Sequence, residues 1–233
     1  MGKRLNRDEA VSRLRGDLSQ VLGERLHSLV VYEAAAGDDH VVHALAVIEA
    51  FTPDDLARLA PAAAGWAAAG LAVPLVFGRA ELVRSLDAFP LEFSQILARH
   101  EVVAGEPLLE GLSVRREDLR RACEAQARSH LVHLREGYLE AGGSPKEVAA
   151  LVEGSLASLR ALLVSVARLH GANPRTPDEI AAFLAEGLPA SAAGLRPLVT
   201  HPAGQPLPLS EAEHVFPGYV VAIEQLARTL DRL

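Results

Sequence analysis

The stretch SLVVYEAAAGDDHVVHALAVI, residues 28–48, decides the fold. Residues 28–32 and 41–48 are short runs rich in β-branched and other apolar side chains, the composition of largely buried strands. Between them, residues 33–40 carry Gly37, Asp38 and Asp39, types that favour a turn. Upstream, Val11, Leu14, Leu18, Val21, Leu22 and Leu26 recur at helical spacing, which predicts a helix over residues 6–26. Downstream, Thr52-Pro53-Asp54-Asp55 opens another helix. Threonine caps the free amides, proline suits the first helical position, and the acids meet the positive end of the helix dipole. Pro61 is expected to kink or split that helix. Residues 73–77 read as a third strand, 79–86 as a short helix, and 91–96 and 101–104 as strands.

The pattern changes near residues 105–113, and everything beyond reads as helix. Ser144-Pro145-Lys146-Glu147 and Thr176-Pro177-Asp178-Glu179 match a capping box with proline at the first helical position, and Ser210-Glu211-Ala212-Glu213 matches it without the proline. Helices are expected over residues 114–140, 145–170, 177–186 and 211–233, with Gly142, Gly143 and Gly171 as stops and a bend at Pro217-Gly218. The proline-rich residues 188–209 read as a loop crossing a bundle of about four helices. The fold class is therefore α+β: strands with helices over residues 1–110, followed by an all-α helical bundle over residues 113–233.

Composition sets the outer limits. The chain has 233 residues, a net charge of −7, 49% hydrophobic and 23% charged residues. It is long and apolar enough for a folded core, which excludes a disordered chain. An acidic chain gains little from counterion release, which argues against general nucleic-acid binding. The lone Cys123 excludes an intramolecular disulfide and a multi-cysteine zinc site. Charges at Arg7, Asp8, Glu9 and Arg13 interrupt the place of a signal-peptide core, and no run of about 18 apolar residues suits a membrane span, so a cytoplasmic protein with no membrane partner is expected.

Four stretches carry a resemblance: LVVYEAAAGDD (29–39), VHALAVIEAFTPDDLARLAP (42–61), FPLEFSQILARHEVVAGE (89–106) and LREGYLEAGGSPK (134–146). With the order of elements they resemble the nucleotidyltransferase superfamily related to polymerase beta and the aminoglycoside nucleotidyltransferases. Within it they are most similar to a bacterial group with a degenerate domain of this kind and a helical C-terminal domain. The resemblance implies a nucleotidyltransferase-like fold, a mixed sheet with helices, over residues 1–110. It also implies what an active member needs: a Gly-Ser pair after the first strand, an Asp-x-Asp pair at the start of the second, and a third carboxylate from a later strand. These hold triphosphate and two magnesium ions for in-line attack on a nucleotide α-phosphate.

Carried over residue by residue, that pattern fails. Glu33-Ala34 stands at the Gly-Ser position, and Val41 and His43 stand at the paired acids. Valine binds no metal, and imidazole is a poor magnesium ligand. Glu92 fits the third carboxylate position, but one carboxylate cannot hold two metals. Glu33, Ala34, Val41, His43 and Glu92 are thus candidates for a vestigial cleft with no catalytic residue and no metal or cofactor. Two further readings stay open. Asp38, Asp39 and Glu92 would form a displaced acid set holding magnesium in a working enzyme, or the bundle would dimerise as a protein-interaction scaffold. The partners that follow are a nucleotide or small molecule in the interdomain cleft, a second copy of the chain, or a protein.

The remaining constellations have plainer readings. Arg128 and His133 have a spacing found in ribonuclease motifs of some helical domains, but 21 arginines and nine histidines produce such a pair by chance. His130 and His133, three apart, lack the further ligands zinc needs. His43 is read as a core or rim histidine, or as a ligand contact in a repurposed cleft, and Cys123 as a small buried residue.

Overall fold

The structure is a computed structural model that describes residues 5–33, 41–202 and 204–233. The chain divides into two compact units, the first ending at Val114 and the second running on from Arg115.

The first unit opens with α1 (Arg7–Leu22). The Asn6 side chain accepts the Glu9 amide at 2.9 Å, and the Glu9 carboxylate accepts the Asn6 amide at 3.1 Å, so the helix start is reciprocally capped. Ala10, Leu14, Leu18 and Leu22, four apart, are its buried stripe. The helix stops short of Leu26 because Gly23 takes φ 56°, a conformation few side-chain-bearing residues adopt, and a 3-10 turn follows. Then come β1 (Leu26–Tyr32) and β2 (His43–Ile48), paired antiparallel. Thr52 caps α2 (Pro53–Leu59) in a box with Asp55, and Pro61 separates α2 from α3 (Ala63–Ala69), as its position predicts. β3 (Leu75–Gly78) lies parallel to β2, α4 (Arg79–Leu82) and α5 (Pro90–Ala98) follow, and β4 (His100–Gly105) runs antiparallel to β1. The mixed sheet has the order β3-β2-β1-β4.

Residues 91–96 form a helix and not the expected strand. Pro90 occupies the first turn with the acid Glu92, and Pro90, Phe93 and Ile96 are buried three apart. Leu91 and Phe93 imitate an alternating pattern, but the next buried apolar side chain falls at a helical interval.

Alternate side chains of the sheet enter two cores. Leu29, Val31, Ala44, Ala46 and Ile48 pack with the apolar stripe of α1 and with Leu59, Trp66 and Ala69. Val30, Leu45 and Val47 pack with Leu82, Phe93, Ile96 and Leu109. Tyr32 packs at the margin of this second core, on the α5 face.

The second unit contains α6 (Arg116–Glu140), α7 (Pro145–Leu169), α8 (Pro177–Gly187), α9 (Pro189–Thr200) and α10 (Leu209–Asp231). α6 packs on α7 and α10, α8 on α9, and α9 on α10. The expected loop over residues 188–209 therefore contains a fifth helix. Pro189 takes its first position, and Ser191, Leu195, Leu198 and Val199 fall on one buried stripe. Its glycine serves close packing: a Cβ on Gly194 would stand 2.3 Å from the Gly218 carbonyl oxygen of α10. Buried Arg160 of α7 donates to the Val199 carbonyl at 3.1 Å and to the His201 carbonyl, supplying donors at the end of α9. α10 begins at Leu209, before Ser210, and its helix is continuous through Pro217.

Among the described residues α7 is the one helix long and apolar enough, by length and composition, to cross a membrane. Its Leu156, Leu159, Leu162, Leu163 and Val166 are nonetheless buried, as in the central helix of a bundle.

Candidate functional site

The site lies in the first unit, where β1 ends and β2 begins. Antiparallel register sets Tyr32 opposite His43 on one side and opposite His100 on the other. Directly opposed residues share a face, so β2, β1 and β4 present an imidazole, a phenol and an imidazole in one row on the α5 side of the sheet.

The start of β2 is fixed in place. The Val42 amide donates to the Gly70 carbonyl at 2.9 Å, and the Ala72 amide donates to the Val42 carbonyl at 3.0 Å. This bridge extends the pairing one residue before His43, and Val41 lies in a bend beyond it, so the two-residue spacing expected for paired acids is not carried by a regular strand. The His43 ring meets the Tyr32 ring at 5.7 Å between centroids, tilted by 40°. Its Nε2 is buried and has no hydrogen-bond partner among the described residues. The His100 Nδ1 is more ordinary, 3.1 Å from the Ile96 carbonyl oxygen.

Tyr32 is half-buried, and burial pushes its phenol up, with the negative charge of Glu92 pushing the same way. It therefore remains a protonated hydrogen-bonding group. Glu92 stands in the first turn of α5 and is exposed, so the carboxylate expected on a later strand comes from a helix instead. Glu33 continues from β1. Its carboxylate accepts from Arg99 Nη1 at 2.8 Å, and its carbonyl accepts from Gln95 Nε2 at 3.0 Å. Ala34, Asp38 and Asp39 lie outside the described residues.

These groups do not match the magnesium pair that the resemblance implies. Hard divalent ions take several oxygen ligands, and Val41 and His43 offer none from their side chains. Among the described residues no cluster of three His, Cys, Asp or Glu side chains could hold a metal ion. What the strand register brings together instead is an imidazole and a phenol, hydrogen-bonding groups, with the negative charge of Glu92 acting on the phenol.

Tyr32, Gln95, Arg99 and His100 were not among the residues the sequence nominated. The row exists only through strand register, and the Glu33 contacts through the position of α5.

The histidines of the bundle are accounted for structurally. His130 is buried, with Nε2 2.5 Å from the Tyr219 hydroxyl and Nδ1 3.4 Å from Ser158 Oγ. His133 is exposed and lies beside Ser129, so the two do not form a joint metal site. Arg128 bonds Glu124 at 2.9 Å on its own helix. Cys123 is fully buried, and burial pushes its thiol up to about 12, which makes it inert as a nucleophile.

No protein-family model matches the chain. No curated protein matches it by sequence. Its fold is similar to that of spectinomycin adenyltransferase AAD(9) from Enterococcus faecialis, solved with ATP and spectinomycin. The two share 11% identity at a TM-score of 0.60, with 95% of this chain and 99% of the other covered. The chain has a nucleotidyltransferase-like fold.

Proposed function

We propose that this chain is a nucleotidyltransferase-like protein that no longer transfers nucleotides and serves as a ligand-binding, regulatory protein. One observation carries the reading. At the start of β2, where the resemblance calls for a second metal-binding acid, His43 offers a buried Nε2 with no partner among the described residues, beside Tyr32. An imidazole there supports hydrogen bonding to a ligand and does not support binding of a hard metal. The AAD(9) structure contains ATP, so nucleotides are the ligand class to examine first. Fold alone establishes no activity.

The test is a thermal shift with each ribonucleoside triphosphate, with and without magnesium, alongside an assay for pyrophosphate release with candidate acceptors. The expected result is that no stabilisation depends on magnesium and no pyrophosphate appears. A magnesium-dependent shift accompanied by pyrophosphate release would overturn the proposal in favour of a working enzyme using Asp38, Asp39 and Glu92.

A further inference from the structure

We propose that the corner formed by His43, Tyr32 and Glu92 binds the uncharged nucleoside part of its ligand and excludes the phosphates. The proposal rests on the ligand-binding reading above and adds which part of the ligand is held.

Three observations carry it. First, a buried polar atom left unpaired is destabilising, so His43 Nε2, which has no partner among the described residues, calls for one from a ligand. Second, the groups around it are unused. Neither the Tyr32 hydroxyl nor the Glu92 carboxylate has a hydrogen bond to the described residues, and Glu92 stands in the exposed first turn of α5, the helix on the face where Tyr32 packs, with its charge acting on the Tyr32 phenol. Imidazole, phenol and carboxylate together supply both donors and acceptors, which match the hydroxyls of a ribose and the mixed edges of a base. The tilted Tyr32 and His43 rings add aromatic surface for a planar heterocycle.

Third, the charge is of the wrong sign for phosphate. Among the described residues, the charged side chains that the contacts place at this end of the sheet include Glu33, Glu92 and Arg99, with Glu101 of β4 paired to Arg7 at 2.6 Å. Arg99 is engaged by Glu33 at 2.8 Å, which leaves the negative charge of Glu92 beside the row. A triphosphate without metal ions would be repelled there, whereas a nucleoside carries no charge to repel. Nε2 is shielded from solvent, with the Tyr32 ring against its imidazole. A ligand that reaches Nε2 enters beside the Tyr32 ring, so the Tyr32 signal should move with that of His43.

The experiment uses the full chain. Adenosine, guanosine, cytidine and uridine, and then their 5′-triphosphates, are titrated to millimolar concentration with and without magnesium. The ring resonances of His43 and Tyr32 are followed by NMR. The expected result is that at least one nucleoside shifts both sets of resonances equally with and without magnesium. Its triphosphate should bind at least about tenfold more weakly. Glu92→Gln should narrow that gap, a readout that does not depend on the folding of a His43 variant. His43→Gln should weaken the nucleoside about tenfold.

If no nucleoside moves the His43 signal, this inference falls and the transfer-free reading stands. If a triphosphate binds better than its nucleoside without magnesium and without pyrophosphate release, only this inference falls. Magnesium-dependent triphosphate binding with pyrophosphate release would overturn both.

Discussion

Arg25 grips Asp55 through both ends of its guanidinium, Nη1 to Oδ2 at 2.9 Å and Nη2 to Oδ1 at 2.5 Å. The pair ties the turn before β1 to the first turn of α2. Asp55 is 1% exposed, and Oδ2 also accepts from the Thr52 amide and hydroxyl, at 3.0 and 2.8 Å. One carboxylate thus closes a capping box and a bidentate ion pair.

Asp55→Ala removes the carboxylate half of the capping box and leaves Thr52 and Arg25 without their acceptor. The expected loss is about 2 kcal/mol, read as a lower urea midpoint with unchanged slope. The hydrogen-bonded Arg25 holds the Asp55 carboxyl well below the usual carboxylate range. A depressed folded-state pKa gives stability that is present above the unfolded value and lost as pH falls through the folded one. This contribution should therefore be intact at neutral pH and decline only below about pH 4. Urea titrations of the parent and the variant should converge at the acid end.

The buried His130 gives the bundle a different acid sensitivity. Burial, aided by His133, holds its imidazole down at about 4. The unfolded chain then takes up the proton first, so stability falls as pH drops from about 6.5 towards the folded value. The whole loss is about 3 kcal/mol, at about 1.4 kcal/mol per pH unit. Urea midpoints between pH 7 and 4.5 should fall in the parent and stay flatter in His130→Gln. Tyr219→Phe should cost about 1–2 kcal/mol at pH 7 by leaving the His130 Nε2 without its 2.5 Å partner.

Gly194 and Gly218 should respond oppositely to alanine although they face each other. A Cβ at Gly194 meets backbone, the Gly218 carbonyl oxygen at 2.3 Å, so α9 and α10 would have to separate. A Cβ at Gly218 meets only the Gly194 Cα, at 3.8 Å. Gly194→Ala should destabilise by about 1–3 kcal/mol, whereas Gly218→Ala should be neutral or stabilise by up to about 1 kcal/mol through helix propensity. Thermal melts of the two variants decide it.

Cys123 should ignore a thiol reagent while the chain is folded. It is fully buried, and its thiol is protonated at neutral pH. Labelling should keep pace with unfolding in urea, and fast labelling of the folded chain would contradict this packing.

What the sequence revealed and what it hid divide along physical lines. Caps are local, so Thr52 with Asp55 and Thr176 with Glu179 were readable as helix starts and are capping boxes in the structure. Ser144 caps α7 through the Glu147 amide alone. Ser210 was misread because Pro208 precedes a helix that has already begun at Leu209. Residues 91–96 passed for a strand because Leu91 and Phe93 alternate, while the helix is set by burial of Phe93 and Ile96 against the sheet. Residues 188–209 passed for a loop because proline and glycine usually break helices, whereas Pro189 opens one and Gly194 permits a close crossing. His43 was a nominated residue, but its row was not legible. That Tyr32 meets both His43 and His100 depends on two registers, and register is not written in any local stretch.

The place of β1 in the sheet also bears on folding while the chain is being made. β1 has β2 on one side, but its other neighbour is β4, so Ser28 waits for Gly105. Until the ribosome has delivered residue 105, one row of β1 amides and carbonyls has no partner strand. A nascent chain stalled before that point would present an open edge able to pair with another nascent chain. Gly105 closes the gap at φ 79°, with no room for a side chain over the His27 carbonyl, so a bulkier residue there would prolong the exposure.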